Sequence, residues 1–280
     1  MSDYRKKPRR VRYHFSLVFF AAVFIFGFMF YKYMTETKLE DVLANEGMDP
    51  PVFSQDVDED TDGENTDAPE DEQESDEVSV NPVPLSEAKT SEYLDSCVFI
   101  GDSITFGMAS YNVVPSANVY ASVSMSISKV ETAKIETQYG EMTVLEALDL
   151  KQPENIYVML GSNGAAFMSV DDMYRAFSSF MGNLADVCPD SRIYILSVPP
   201  VTAKKEVSTE TPILNSELDE FNAKLLEYAN RKGLYYVDVC SALKDESGKL
   251  PEDDAENDGL HLKYSAYSRL IDYILCHVAG

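Results

Sequence analysis

The sequence predicts an α/β fold, a three-layer α/β/α sandwich built around a five-stranded, mostly parallel sheet. Two observations predict it: five short apolar runs recur across residues 86–280, and segments with helical spacing of apolar residues separate them. Strands connected through helices run parallel, and the helices then cover both faces of the sheet. The predicted strands are residues 97–100, 118–121, 156–160, 193–198 and 234–239.

The segments between these runs carry large apolar side chains at intervals of three and four residues, which is typical of amphipathic helices. One stripe comprises Met173, Phe177, Phe180, Leu184 and Val187, and a second comprises Leu218, Phe221, Leu225 and Tyr228. A third, near the C-terminus, comprises Tyr267, Leu270, Ile271, Ile274, Leu275 and Val278. We interpret all three as core packing, with Gly233 ending the second helix.

The first 33 residues predict a basic cytoplasmic tail and a membrane anchor. Residues 1–14 hold six Lys or Arg against one acidic residue, and residues 15–31 then run without a charge. A helix of that length spans about 26 Å, near the lower limit for crossing a bilayer. A cleaved signal peptide is the alternative, but no small residues follow the run. We expect a single-pass anchor at residues 15–33, with the remainder outside the cytoplasm by the positive-inside rule.

A disordered acidic linker is expected over residues 34–85. Thirteen Asp or Glu and no Lys or Arg lie between residues 56 and 77, and such a segment buries too little apolar surface to fold. Two interpretations stay open: a stalk that holds the domain away from the membrane, and a solvated spacer without a binding role. The composition favours the spacer.

Charge and residue spacing exclude several function classes. The predicted domain, residues 86–280, has a net charge of −14, which argues against nucleic acid and anionic lipid surfaces as partners. Two acidic stretches begin like EF-hand loops, but Pro69 and Ser265 stand where a bidentate Glu is required. The cysteines show no metal-ligand spacing, so we expect free buried thiols, with a disulfide as the alternative. These cysteines are Cys97, Cys188, Cys240 and Cys276.

Three short motifs supply the groups that serine chemistry needs. Ser103 ends a Gly-Asp-Ser motif, Asn163 ends Gly-Ser-Asn, and Asp258 precedes His261 by three residues. Serine is a weak nucleophile, so it requires a base within hydrogen-bond reach and a third group that orients the base. One turn of backbone can bring the Asp258 carboxylate to the imidazole of His261, where it fixes the tautomer.

The other two histidines are poor candidates for the base. His14 lies in the basic N-terminal flank, and His277 is three residues from the C-terminus. The predicted topology agrees with the motifs, because Ser103 follows the first strand and Asn163 the third, and ligands bind beyond the carboxyl ends of parallel strands. We interpret Asp102 as the N-cap of the helix that begins near Ser103, rather than as a catalyst.

These motifs, in this order, resemble those of the SGNH (GDSL-type) hydrolases, whose domain has a flavodoxin-like three-layer fold. The resemblance covers residues 93–278 and implies that Ser103 is the nucleophile, His261 the base and Asp258 its partner. It also implies an oxyanion hole formed by the backbone N–H of Ser103 and the side-chain amide of Asn163.

One position departs from the family pattern. The family places a glycine after the second strand, and its backbone N–H completes the oxyanion hole, but residues 121–126 contain no glycine. Ser124 is the best match. A backbone donor needs no particular side chain, although an added Cβ can narrow the pocket or misplace the amide. Losing one oxyanion donor costs about 2.7–4 kcal/mol in the transition state.

Together these features predict a membrane-anchored, extracytoplasmic serine esterase. We expect it to hydrolyse short acyl esters, chiefly O-acetyl esters of cell-wall or other polysaccharide, through an acyl-enzyme and without a metal or organic cofactor. Three alternatives stay open: an O-acyltransferase to a glycan, a lipase or thioesterase, and a non-catalytic envelope binding module. The last would have lost its chemistry through the change at Ser124.

Overall fold

Five parallel strands form the central sheet. The computed structural model describes residues 81–280, and the strands within them are β1 (Cys97–Gly101), β2 (Val119–Ala121), β3 (Lys134–Thr137), β4 (Gly140–Thr143), β5 (Asn155–Met159), β6 (Arg192–Leu196) and β7 (Tyr235–Val237). The sheet order is β2-β1-β5-β6-β7, and every neighbouring pair is parallel. Strands β3 and β4 form a separate antiparallel hairpin. The predicted fold class is confirmed.

Helices connect the strands and cover both faces of the sheet. In the described part of the chain they are α1 (Ser103–Ser110), α2 (Val144–Lys151), α3 (Val170–Val187), α4 (Ala203–Glu206), α5 (Asn215–Lys232), α6 (Cys240–Leu243) and α7 (Tyr264–Leu275). Helix α3 begins at a Ser169 cap that accepts from the N–H of Asp172. Helix α5 ends at Gly233, whose φ of 64° is the left-handed conformation that favours glycine at a helix end. The predicted stop at Gly233 is confirmed.

Alternate residues of each strand point to opposite layers of the core, as strand geometry requires. In β1, Val98 and Ile100 join the cluster under α3 and α5, whereas Cys97 and Phe99 join the cluster under α1 and α7. The central strands are buried on both faces, which explains why they read as continuous apolar runs.

The core cluster under α1 and α7 also contains a row of aromatic rings across neighbouring strands. The ring centroids of successive pairs lie 5.0, 4.5 and 5.0 Å apart. The rings belong to Phe99, Tyr157, Tyr194 and Tyr235.

The elements not predicted from the sequence include the β3–β4 hairpin, helix α2 and the four-residue helices α4 and α6. The hairpin strands have four residues each and are largely exposed, so they lack the apolar run by which the others were recognised. Helix α2 does carry a start signal that was overlooked, a capping box in which Thr143 and Glu146 exchange hydrogen bonds. The predicted strand 234–239 is shorter in the structure, since residues 238–239 turn away toward α6.

The folded region begins no later than Asn81, inside the stretch expected to be linker. Val83 is buried, and its N–H donates to the carbonyl of Tyr236 at 2.7 Å. Asn81 and Val83 therefore pair with the backbone at and just before β7. The predicted tail, the predicted anchor at 15–33 and the linker up to residue 80 lie outside the described residues. Among residues 81–280, none of the helices combines the length and apolar character that crossing a membrane requires.

All four cysteines are free thiols. Cys97, Cys188 and Cys240 are buried and Cys276 is half-buried. Burial raises the pKa of Cys240 to about 12, since the thiolate would lose its hydration. Its thiol donates to the carbonyl of Val198.

Candidate active site

Ser103 is placed at the carboxyl edge of the sheet by an abrupt change from strand to helix. Strand β1 ends at Gly101, and Ser103 is the first residue of α1. A Cβ at Gly101 would overlap the Thr105 hydroxyl and the Met159 carbonyl oxygen, so only glycine permits this approach of helix to strand. Ser103 itself is only 6% exposed.

The structure brings His261 and Asp258 to Ser103 in one chain of hydrogen bonds. Nε2 of His261 lies 2.8 Å from Oγ of Ser103, and Nδ1 lies 2.5 Å from Oδ2 of Asp258. An ionised carboxylate only accepts, so Nδ1 carries the proton of a neutral imidazole. Nε2 is then left as an acceptor for the Ser103 hydroxyl. The three residues predicted to work together are adjacent, in the relative order that a serine nucleophile requires.

The pKa of Asp258 lies below its usual range. Partial burial acts to raise it, but three hydrogen bonds to the carboxylate outweigh this effect. One comes from the His261 ring, and the other two come from the backbone N–H groups of Leu260 and His261, each 3.0 Å from Oδ1. Asp258 is thus held ionised and oriented by the same turn that presents His261.

A short two-stranded segment supports that turn. Ala255 pairs with Leu262 in an antiparallel bridge, and the N–H of Glu256 donates to the carbonyl of His261 at 2.7 Å. Gly259, at φ 72°, stands at the tip, where a Cβ would overlap the Thr202 hydroxyl. The turn ends just before helix α7, which begins at Tyr264, three residues after His261.

Asn163 lies in the loop after β5, beside Asp102. Its side-chain amide already donates hydrogen bonds to other groups of the protein. Its Nδ2 donates to the carbonyl of Met125 at 2.7 Å and to that of Val123 at 3.3 Å. A side-chain amide carries two N–H donors, and both are engaged here. Asn163 thereby fixes the loop that contains Ser124.

Asp102 has a wider role than the helix cap predicted for it. Its Oδ1 accepts from the N–H of Ile104 at 3.1 Å, which confirms the cap. Its Oδ2 accepts from the backbone N–H of Asn163 at 3.3 Å, a contact that the sequence did not predict. One buried carboxylate therefore joins the loop after β1 to the loop after β5. Burial raises the pKa of Asp102, although backbone hydrogen bonds to Ile104, Asn163 and Gly161 oppose that rise.

Ser124 is exposed in the loop after β2. Among the described residues other than glycine, positive φ angles occur only at Asn112 and Gln152, so a serine stands at 124 without backbone strain. Within residues 81–280 the N–H of Ser124 has no protein acceptor. In the same range no group of three His, Cys, Asp or Glu is arranged to hold a metal ion.

The sequence profile of the GDSL-like lipase/acylhydrolase family matches residues 99–269 of this chain. That span contains all three motifs and most of the domain. The chain belongs to this family. A search of the curated proteins finds no match.

Several solved structures are similar to this chain. A protein from Streptococcus pneumonia described as a platelet activating factor aligns with a TM-score of 0.50 at 20% identity, covering 64% of this chain and 81% of its own. An acylhydrolase from Bacteroides fragilis gives a TM-score of 0.49 at 18% identity, covering 64% and 83%. A GDSL-like lipase from Bacteroides thetaiotaomicron gives 0.46 at 16% identity, covering 67% and 89%. At 20% identity, the similarity to the Streptococcus pneumonia protein shows a shared fold and nothing more.

Proposed function

We propose that this GDSL-like family member is a serine esterase in which Ser103, His261 and Asp258 form the catalytic triad. The observation that carries the proposal is the continuous contact from Ser103 Oγ through His261 to Asp258, with distances of 2.8 and 2.5 Å. The 2.8 Å link between Ser103 and His261 falls within the range expected for a nucleophile and its general base.

The reaction proceeds in two balanced steps. Ser103 Oγ attacks the ester carbonyl while its proton passes to Nε2 of His261, and the C–O bond to the alcohol then breaks as His261 protonates that alcohol. A water molecule attacks the acyl-enzyme, gives its proton to His261 and releases the carboxylic acid, and the proton returns to Ser103. Asp258 accepts from Nδ1 throughout and stabilises the transient imidazolium.

The backbone N–H groups of Ser103 and Ser124 are the proposed oxyanion donors. The first lies at the start of α1, where unpaired helix amides favour negative charge. The absence of a protein acceptor for the second, within the described residues, leaves it available. Asn163 can join them only if its longer hydrogen bond, to Val123, is exchanged for one to the substrate.

We further propose that the substrate is a short acyl ester, chiefly O-acetyl, on cell-wall or other polysaccharide. The side chains of His261 and Asp258 are 37% and 47% exposed, so a substrate can approach the base from solvent, whereas Ser103 is 6% exposed. The uncharged run at 15–31, preceded by six basic residues, supports a membrane anchor with the domain outside the cytoplasm.

The test uses the full-length protein with p-nitrophenyl acetate. We expect turnover to fall to background in Ser103→Ala and His261→Ala. His277→Ala is the matched control, because among the described residues the His277 ring contacts the Tyr273 carbonyl and stacks on the Tyr273 ring, not on the triad. Equal activity in wild type and Ser103→Ala would overturn the proposal.

The same assay separates the alternatives for substrate and acceptor. A series of p-nitrophenyl esters from C2 to C12 exposes a lipase or thioesterase by rising activity with chain length. An acetylated glycan donor with a second glycan as acceptor distinguishes free acetate from transferred acetyl, which would identify an O-acyltransferase.

A further inference from the structure

Helix α1, which begins at Ser103, contacts residues 256–267 near both ends of the helix. We call residues 256–267 the base-bearing segment, because they include His261. Ser103 begins α1, and Tyr111 directly follows its last residue. At the first end Ser103 contacts His261, and at the second end Oη of Tyr111 donates to Oε1 of Glu256 at 2.9 Å. An eight-residue helix is about 12 Å long, so the second contact lies away from the reacting atoms.

Glu256 is coupled to the base through the backbone. Its N–H donates to the carbonyl of His261 at 2.7 Å, and its carbonyl accepts from Gly259 at 2.9 Å. Asp258 stands within the turn that these two hydrogen bonds close. A displacement of Glu256 therefore moves the backbone that presents both His261 and Asp258.

Tyr111 also contacts the chain beyond His261. Its ring centroid lies 5.2 Å from that of Tyr267 and 6.3 Å from that of Tyr264, in tilted geometries typical of aromatic pairs. Tyr111 therefore touches the base-bearing segment on both sides of the histidine. Its side chain is at the surface, with 36% of the residue exposed, so removing its hydroxyl leaves the core intact.

We propose that Tyr111 is a positioning residue which, through its hydrogen bond to Glu256, holds His261 at reacting distance from Ser103. The proposal rests on the proposed esterase function. Misplacing a catalytic group by 1 Å can cost about 10²-fold in rate. Because one exposed hydrogen bond is lost while the ring contacts remain, we expect kcat to fall about three- to tenfold in Tyr111→Phe, with KM unchanged.

The kinetic test compares five variants of the full-length protein on p-nitrophenyl acetate. Tyr111→Phe and Glu256→Ala should lower kcat equally, and the double variant should lose no more than either alone. Glu256→Gln keeps an acceptor and should restore most of the rate. Tyr264→Phe is the matched control, since its hydroxyl makes no hydrogen bond within residues 81–280. Full kcat in Tyr111→Phe, or multiplicative losses in the double variant, would overturn the proposal.

A second readout does not depend on turnover. The chain has three histidines, so the His261 ring can be followed by NMR in histidine-labelled, full-length protein. In Tyr111→Phe we expect the ring resonances to move toward their positions in Ser103→Ala, and to stay at wild-type positions in Tyr264→Phe. Wild-type positions in Tyr111→Phe would contradict the positioning role even if no ester were turned over. Activity that survives Ser103→Ala would instead reject the esterase function.

Discussion

Two serines follow strands at the same edge of the sheet, but their surroundings differ. Ser103, after β1, has an oxygen whose described side-chain partner is His261 at 2.8 Å. Ser197, after β6, is fully buried, donates to Oδ1 of Asp238 at 3.1 Å and accepts from the N–H of Cys240 at 3.0 Å. Both serines lie near a carboxylate. What distinguishes the first is a histidine between the hydroxyl and the carboxylate, with an imidazole that is 37% exposed.

The comparison teaches that polar residues at strand ends do not by themselves make a reactive site. The hydroxyl of Ser197 is satisfied as both donor and acceptor, so it fixes the start of α6 instead of attacking a substrate. The hydroxyl of Ser103 donates to a base whose other nitrogen is held by Asp258. Five predictions follow, ordered from the largest expected effect to the smallest.

Replacing the orienting carboxylate should have the largest effect among them. In Asp258→Asn we expect kcat/KM to fall about 10⁴-fold, because the amide no longer selects the tautomer with a free Nε2. Steady-state kinetics on p-nitrophenyl acetate measure the loss. Asp253→Asn, which changes a neighbouring exposed carboxylate, is the control and should keep wild-type rates. A loss below tenfold would contradict the assigned order of the triad.

The lowered pKa of Asp258 also predicts that the difference in stability between wild type and Asp258→Asn depends on pH. The folded-state pKa of Asp258 is lowered, so its contribution is present above the ordinary Asp value of 3.8 and is lost as pH falls through the lowered pKa. Urea titrations should show a difference in unfolding free energy between wild type and Asp258→Asn at pH 7. That difference should shrink between pH 4 and pH 2. A difference that grows in acid would contradict the hydrogen bonds seen at this carboxylate.

Asp102 should contribute more to activity than Asp238, the carboxylate that is hydrogen-bonded to Ser197. In Asp102→Asn an amide N–H2 can face the N–H of Asn163, and the loop carrying that residue shifts. We expect kcat to fall about 10²-fold, as for the loss of one oxyanion donor. Asp238→Asn is the matched variant at the other serine and should keep its kcat. Equal kcat values in the two variants would remove the distinction between the two carboxylates.

Ser197→Ala should affect stability instead of turnover. It leaves the N–H of Cys240 without its acceptor in a buried place, a change that costs about 1–3 kcal/mol. Urea denaturation measures the change, and activity on p-nitrophenyl acetate should equal that of wild type. A reduced kcat at unchanged stability would mean that the second serine takes part in the reaction.

The smallest effect is expected at Ser124. Because its φ is not positive, restoring the family glycine in Ser124→Gly relieves no strain, and we expect kcat to change by less than about threefold. Ser126→Gly, in the same loop, controls for added flexibility. A tenfold gain in kcat from Ser124→Gly alone would show that the serine Cβ narrows the site.

Local patterns in the sequence were sufficient for much of the fold and for the positions of the motif residues. The five sheet strands are continuous apolar runs, and the reactive groups follow them or precede the last helix. The β3–β4 hairpin was missed because Lys134 and Glu136 alternate with the buried Ile135 and the half-buried Thr137 over only four positions. Its short exposed strands give no periodic signal long enough to recognise.

Contacts between distant loops could not be predicted in the same way. The hydrogen bond from Asn163 to Asp102 crosses 61 positions, and that from Tyr111 to Glu256 crosses 145. Each depends on how helices and loops pack against the sheet, which no local spacing specifies. The partners of the Asn163 amide are backbone carbonyls, so no side-chain type at 123 or 125 marks them.

Covalent labelling of the full-length protein with a fluorophosphonate tests the central claim most directly. Mass spectrometry of the labelled peptide should place the phosphonate on Ser103, and His261→Ala should slow the labelling at least about 10³-fold. Ser197 should remain unmodified in both proteins. A folded wild-type protein that leaves Ser103 unlabelled, or labels equally fast without His261, would contradict the proposed triad.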